Sequence, residues 1–109
     1  MARLKSPPKS FDEFVRRFPK LGQAWELLGA GAAEAGPLDE KTQRLVKLAL
    51  SIAAKQEGAV HSGVRKALAA GATMKELEQV VALAASLIGL PATVAAFQWV
   101  REEAAKREA

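Results

Sequence analysis

Glu57 and His61 stand four residues apart, and His61 is the only histidine in the chain. At that spacing on a helix a carboxylate and an imidazole reach each other along one face. The carboxylate stabilises the imidazolium and fixes the ring's orientation, and such a pair transfers protons near neutral pH. The same spacing also occurs on solvated helices, where it gives only a surface ion pair. Arg65 follows His61 by four more residues. There its planar fork can hold a substrate carboxylate, or it can pair with an acid or face solvent. Glu57 and His61 are therefore the candidate catalytic residues and Arg65 the candidate substrate-binding residue. Ser62 has no histidine–acid arrangement behind it to activate its hydroxyl. One histidine and no cysteine supply too few ligands for a metal unless subunits combine around an axis, so neither metal nor cofactor is expected.

These residues must be positioned by helices. Half of the 109 residues are hydrophobic, with alanine and leucine in excess and no tyrosine, which points to an all-α chain. The length suits one small domain. The absence of cysteine rules out disulfides and thiolate nucleophiles and fits a cytoplasmic location. Residues 80–97 come nearest to a membrane span, but Gly89 and Pro91 interrupt them, and MARLKSPPKS lacks the apolar core of a signal peptide. Net charge is +4, and the excess lies in the first twenty residues: Arg3, Lys5, Lys9, Arg16, Arg17 and Lys20 face only Asp12 and Glu13. Residues 1–9 thus read as a basic flexible arm and residues 10–109 as a single helical domain.

The pattern predicts about six helices. Ser10 with Glu13 makes a capping box before a short helix that Pro19 stops. A second runs from about Lys20 to Glu34, with Leu21, Ala24, Trp25 and Leu28 on one face, and ends before Gly36-Pro37. Asp39 is a good N-cap for a third, whose broad arc (Leu45, Leu48, Ala49 and Ile52, widened by Val46, Leu50 and Ala53) predicts burial on more than one side. Gly58 reads as the break before a fourth helix over Ala59–Ala70, closed by Gly71. Thr73 with Glu76 caps a fifth that ends at Gly89, and Pro91 starts a sixth with a charged end, REEAAKREA. Ala59, Gly63, Ala67 and Ala70 line one face of the fourth helix; glycine in a helix interior costs about 1 kcal/mol against alanine, so Gly63 points to a close helix contact. Trp25, Phe97 and Trp99 read as core or interface anchors.

The order LDEKT (38–42), EGAVHSGVRKALAAGAT (57–73) and KELEQVVALAASLIGLPATVAAF (75–97) resembles the carboxymuconolactone decarboxylase family, which includes the alkylhydroperoxidase D-like proteins. The likeness covers about residues 38–104 and is most specific at RKALAAGAT with its acidic helix start and at the GLPA turn, Gly89–Ala92. It implies an all-α, alkylhydroperoxidase D-like fold that assembles into rings such as homotrimers or homohexamers, with sites near subunit contacts. The redox branch of that family carries Cys-x-x-Cys-x-x-x-His where this chain has Gln56, Ala59 and Gly63, and its relay glutamate falls on Arg44. A thiol peroxidase needs a thiolate, so that activity is not expected. The family histidine falls on Gly63. His61 lies two residues earlier, about 200° around the helix, and cannot simply take over its role.

Three functions fit these residues: decarboxylase- or isomerase-type acid–base chemistry, or binding, on a small organic acid; a catalytically degenerate homo-oligomeric assembly protein; and a basic-arm binder of nucleic acid or an acidic partner, for which no helix supplies the usual basic stripe.

Overall fold

The computed structural model describes residues 9–108, the side chain of Glu108 excepted. It is all-helical, with no strand among those residues: α1 (Lys9–Arg17), α2 (Pro19–Ala33), α3 (Glu40–Ala53), α4 (Glu57–Ala69), α5 (Met74–Ile88) and α6 (Leu90–Glu108). The basic arm, Lys9 apart, lies outside the described residues. No described helix is long and apolar enough to cross a membrane. The described chain falls into two compact units, residues 9–38 and residues 39–108.

In the first unit Pro19 occupies the first turn of α2, where its missing N–H costs nothing. Phe14 and Phe18 pack with tilted rings, centroids 5.1 Å apart, yet no residue of α1 or α2 is buried. Ser10 does not cap α1, because the helix already includes Lys9.

The second unit packs Leu48 and Ile52 of α3, Val60, Val64 and Ala67 of α4, Leu77 and Val81 of α5, and Ala96 and Val100 of α6 into one core. Local chemistry fixes its helix ends. Asp39 accepts from the Thr42 N–H at 2.8 Å; that hydrogen bond, with the Lys41 charge, holds its carboxyl below the usual carboxylate range. Thr73 and Glu76 form the expected reciprocal box, and Lys41 Nζ reaches Glu76 at 3.0 Å, tying the start of α3 to the start of α5. Gly71 takes φ +99°. Its N–H bonds to Leu68 O, and the next, from Ala72, bonds to Ala67 O. That is a Schellman closure, which requires the left-handed residue.

Two further expectations need correction. The break before α4 is not at Gly58 but at residues 54–56, where Lys55 takes φ +58°; Gly58 lies inside α4, and so does Glu57. The arc of α3 is buried on one side only: Leu48 and Ile52 are in the core, whereas Val46, Ala49, Leu50 and Ala53 are exposed. With α5, that outer side forms an apolar groove of about 280 Å³ lined by Leu45, Val46, Ala49, Val80, Leu83 and Leu87 among others. Gly63 does mark a close contact: a Cβ there would sit 3.2 Å from Leu48 Cδ1 and 3.5 Å from Leu48 Cα, so α3 and α4 approach closely at this point. Phe97 and Trp99 pack against the core as anchors, while Trp25 is exposed in the first unit.

Candidate functional site

Because α4 begins at Glu57, the carboxylate and His61 are true i, i+4 neighbours on one helix, with Glu57 Oε2 3.5 Å from His61 Nε2. The stronger partner of the imidazole comes from α6. His61 Nδ1 lies 2.8 Å from Glu103 Oε1, forty-two residues further along the chain. The Glu103 side chain is only 2% exposed and that of His61 16%. Ala96, Val100 and Glu103 recur at helical spacing on the core side of α6, so Glu103 occupies a core position.

A buried carboxylate is tolerated only when it is paired. Burial pushes the Glu103 carboxyl up. The hydrogen bond from His61 opposes this, with the charges of Lys106, Arg65 and His61 behind it, and the net result lies below the usual carboxylate range. Arg65 Nη1 stands 3.5 Å from Glu103 Oε2, and Lys106 Nζ stands 3.5 Å from Oε1. Oε2 takes no hydrogen bond. An ionised Glu103 accepts only, so Nδ1 carries the proton facing it. Nε2 is left toward Glu57 and the outside of the helix pair. That geometry holds an imidazole in one orientation with one nitrogen ready to give or take a proton.

The structure thus brings together all three residues singled out in the sequence, and it adds Glu103. Glu57 is the exposed member. Arg65 is engaged with Glu103 through Nη1, and the rest of its fork carries further donors. Glu103 sits in a run that looks like a solvated tail; the signal that could have found it is its register with Val100 and Ala96.

The positions that carry the redox frame in the family lie elsewhere, just before α4 and along it. Gln56 is the residue before the helix, Ala59 is exposed, and Gly63 packs on Leu48 of α3 rather than facing α6. His61 and Gly63 therefore serve different contacts. Nearby the charge is positive: Lys66 is held below the usual lysine range by burial first, then by Arg44, Lys47 and Arg65.

Comparison with known proteins gives a consistent result. An uncharacterized protein of Haemophilus influenzae is 39% identical over 59 residues, 54% of this chain and 52% of that protein, so the chain spans about half the length of the curated relative it matches. The solved structure of apo-lpg0406, a carboxymuconolactone decarboxylase family protein from Legionella pneumophila, superposes with a TM-score of 0.76 at 25% identity, covering 85% of this chain and 83% of the other. The sequence profile of the carboxymuconolactone decarboxylase family matches residues 19–102, taking in α2 as well as the stretch beyond residue 38 where the likeness is read from motifs. With most of its length inside that profile and its helices laid over a solved member, the chain belongs to the carboxymuconolactone decarboxylase family.

Proposed function

We propose that this protein binds a small organic acid beside His61 and moves a proton with His61 Nε2, in decarboxylase- or isomerase-type chemistry that uses no thiol. The observation that carries this is the 2.8 Å contact between His61 Nδ1 and the buried Glu103 carboxylate. Such a contact fixes the tautomer and steadies the charged ring, and a positioned imidazole of this kind speeds proton transfer by about 10²–10⁴-fold. Glu57 lines the outer side of the ring, and Arg65 offers donors to a carboxylate. With no cysteine at the redox positions, the chain has no thiolate to attack a peroxide. The test follows the His61 ring signals by NMR, unambiguous because there is one histidine, while small mono- and dicarboxylic acids are titrated into metal-free protein. A saturable shift lost in Arg65→Gln supports the proposal. Unperturbed ring signals with every acid refute it.

The α3–α5 groove favours a second reading, a homo-oligomer, with a second copy of this chain as the occupant. Leu83 and Leu87 are 66% and 85% exposed beside it, and a closed ring of copies would bury such a repeated apolar strip. If acid binding fails, the groove favours a trimeric or hexameric scaffold whose chemistry has been lost. Sedimentation velocity of the wild type and Leu87→Glu tests it, with a purely monomeric wild type as the refuting result.

A further inference from the structure

The side of His61 that faces away from Glu103 carries another arrangement. Nε2 is 3.5 Å from Glu57 Oε2, and the carboxylate of Glu102 brings a third donor. One donor atom from each of Glu57, His61 and Glu102 lies within 4.8 Å of the others. We propose that these three side chains bind a divalent transition-metal ion of the zinc or manganese class, with Glu103 holding the histidine from behind.

Ligands at about 2.0–2.1 Å from such an ion stand about 3.0–3.4 Å from one another. The histidine–Glu57 separation already approaches that, and both carboxylates sit on exposed, long side chains that can close the remainder. The cluster is more than a set of neighbouring acids. It holds a ring nitrogen whose direction is set by a side chain outside it: Glu103 takes the Nδ1 proton, which leaves Nε2 with its lone pair outward. Metal-bound histidines are regularly held in this way by a carboxylate behind the ring. Two consecutive acids of α6 divide the work. They lie about 100° apart around the helix, so Glu103 enters the core while Glu102 stays at the surface. Gln98 Nε2 donates to Glu102 Oε2 at 3.1 Å, which orients that carboxylate and leaves Oε1 for an ion.

Charge points the same way. Around a neutral imidazole, Glu57, Glu102 and Glu103 face Arg65 and Lys106, the two cations paired with Glu103. One negative charge remains, and a divalent ion reverses it. One nitrogen and two carboxylates suit zinc or manganese better than a soft ion. Three protein ligands leave positions open for water or for an added carboxylate, as in catalytic rather than structural sites. The metal site shares His61 Nε2 and Glu57 with the acid–base role, and at Nε2 proton and ion compete. A lone histidine supplies too few ligands by itself; Glu57 of α4 and Glu102 of α6 provide the other two donors.

The test is calorimetric titration of chelator-stripped full-length protein with ZnCl2, alongside MnCl2 titration observed through the His61 ring signals. We expect one saturable zinc ion per chain and broadening of the His61 resonances by Mn²⁺. Glu102→Gln and His61→Ala should each weaken zinc at least about tenfold, and Glu103→Gln, which changes no ligand, about 10–100-fold. Glu102 is exposed, so Glu102→Gln keeps the fold, and circular dichroism checks this. No saturable zinc uptake, or uptake equal in wild type, Glu102→Gln and His61→Ala, overturns the site. The organic-acid titration is run without metal, so its result stands independently.

Discussion

Within residues 39–108, α4 and α6 share the apolar core but also meet at a buried charge cluster, whereas α3 meets α5 beside a strip of apolar side chains left in solvent. The first contact buries Glu103 among His61, Arg65 and Lys106; the second leaves Leu83 and Leu87 uncovered around a groove of about 280 Å³. Each is the reverse of what minimises free energy for an isolated chain. A buried ion pair is often no better for stability than apolar residues of the same shape, and an exposed leucine forgoes the gain of burial. On the functions proposed above, the polar contact would serve to orient the imidazole and the apolar one would be a surface kept for association.

The largest effect comes from breaking the charged contact. Glu103→Ala leaves the largely buried Arg65 and His61 without their carboxylate and opens a hole in the α6 face of the core. We expect a loss of about 3–5 kcal/mol, the range for removing one partner of a buried pair, measured by urea unfolding. Glu103→Leu should recover much of that stability while failing to restore the ring environment of His61 in NMR spectra. A Glu103→Leu variant whose histidine signals match the wild type would break the claim that this contact exists for orientation.

The next effect is at the one polar end of the other contact, where Thr73, Glu76 and Lys41 tie the starts of α5 and α3. Thr73→Ala removes the cap and should cost about 1 kcal/mol, read from the thermal midpoint. It would sharpen the comparison by showing how little of the α3–α5 contact depends on polar groups.

These two sites also divide what the sequence reveals from what it hides. The box at Thr73–Glu76, the cap at Asp39 and the closure at Gly71 are local side-chain or backbone chemistry, complete within a few residues, and are legible without the fold. Gly63 is legible too, since a helix interior disfavours glycine unless something packs against it. Glu103 is not: its partner His61 lies forty-two residues away, and a glutamate in an acidic, basic and alanine-rich tail looks solvated. The break at Lys55 is hidden because lysine gives no sign of a positive φ. The breadth of the α3 arc correctly marks apolar surface but cannot say whether this chain or another copy covers it.

A smaller effect follows from acid titration. The folded Glu103 carboxyl lies below its ordinary value of 4.5. Its contribution to stability is therefore fully present above that value and is lost as pH falls through the lower, folded one. Asp39 and Glu76 shift in the same direction, Glu76 through its hydrogen bond to the Thr73 backbone and then Lys41. Urea midpoints taken from pH 7 down to pH 3 should decline below about pH 4.5, and less steeply in Glu103→Gln. An unchanged slope in that variant would mean that the buried carboxylate contributes no linkage and that the charged contact is weaker than its geometry.

The smallest effect should be Leu87→Ala, and its smallness is what makes it informative. A leucine 85% exposed in the single chain has little burial to lose, so the monomer's stability should change by no more than about 0.5 kcal/mol. Self-association removes that immunity. If a second copy covers the α3–α5 groove, Leu87→Ala lowers the unfolding midpoint at high protein concentration and leaves it unchanged at high dilution, because assembly stabilises by mass action. Thermal unfolding across a hundredfold range of concentration separates the two cases. A midpoint independent of concentration in both proteins would mean that self-association does not account for the exposed strip, leaving the charged contact as the only one of the two with a purpose beyond packing.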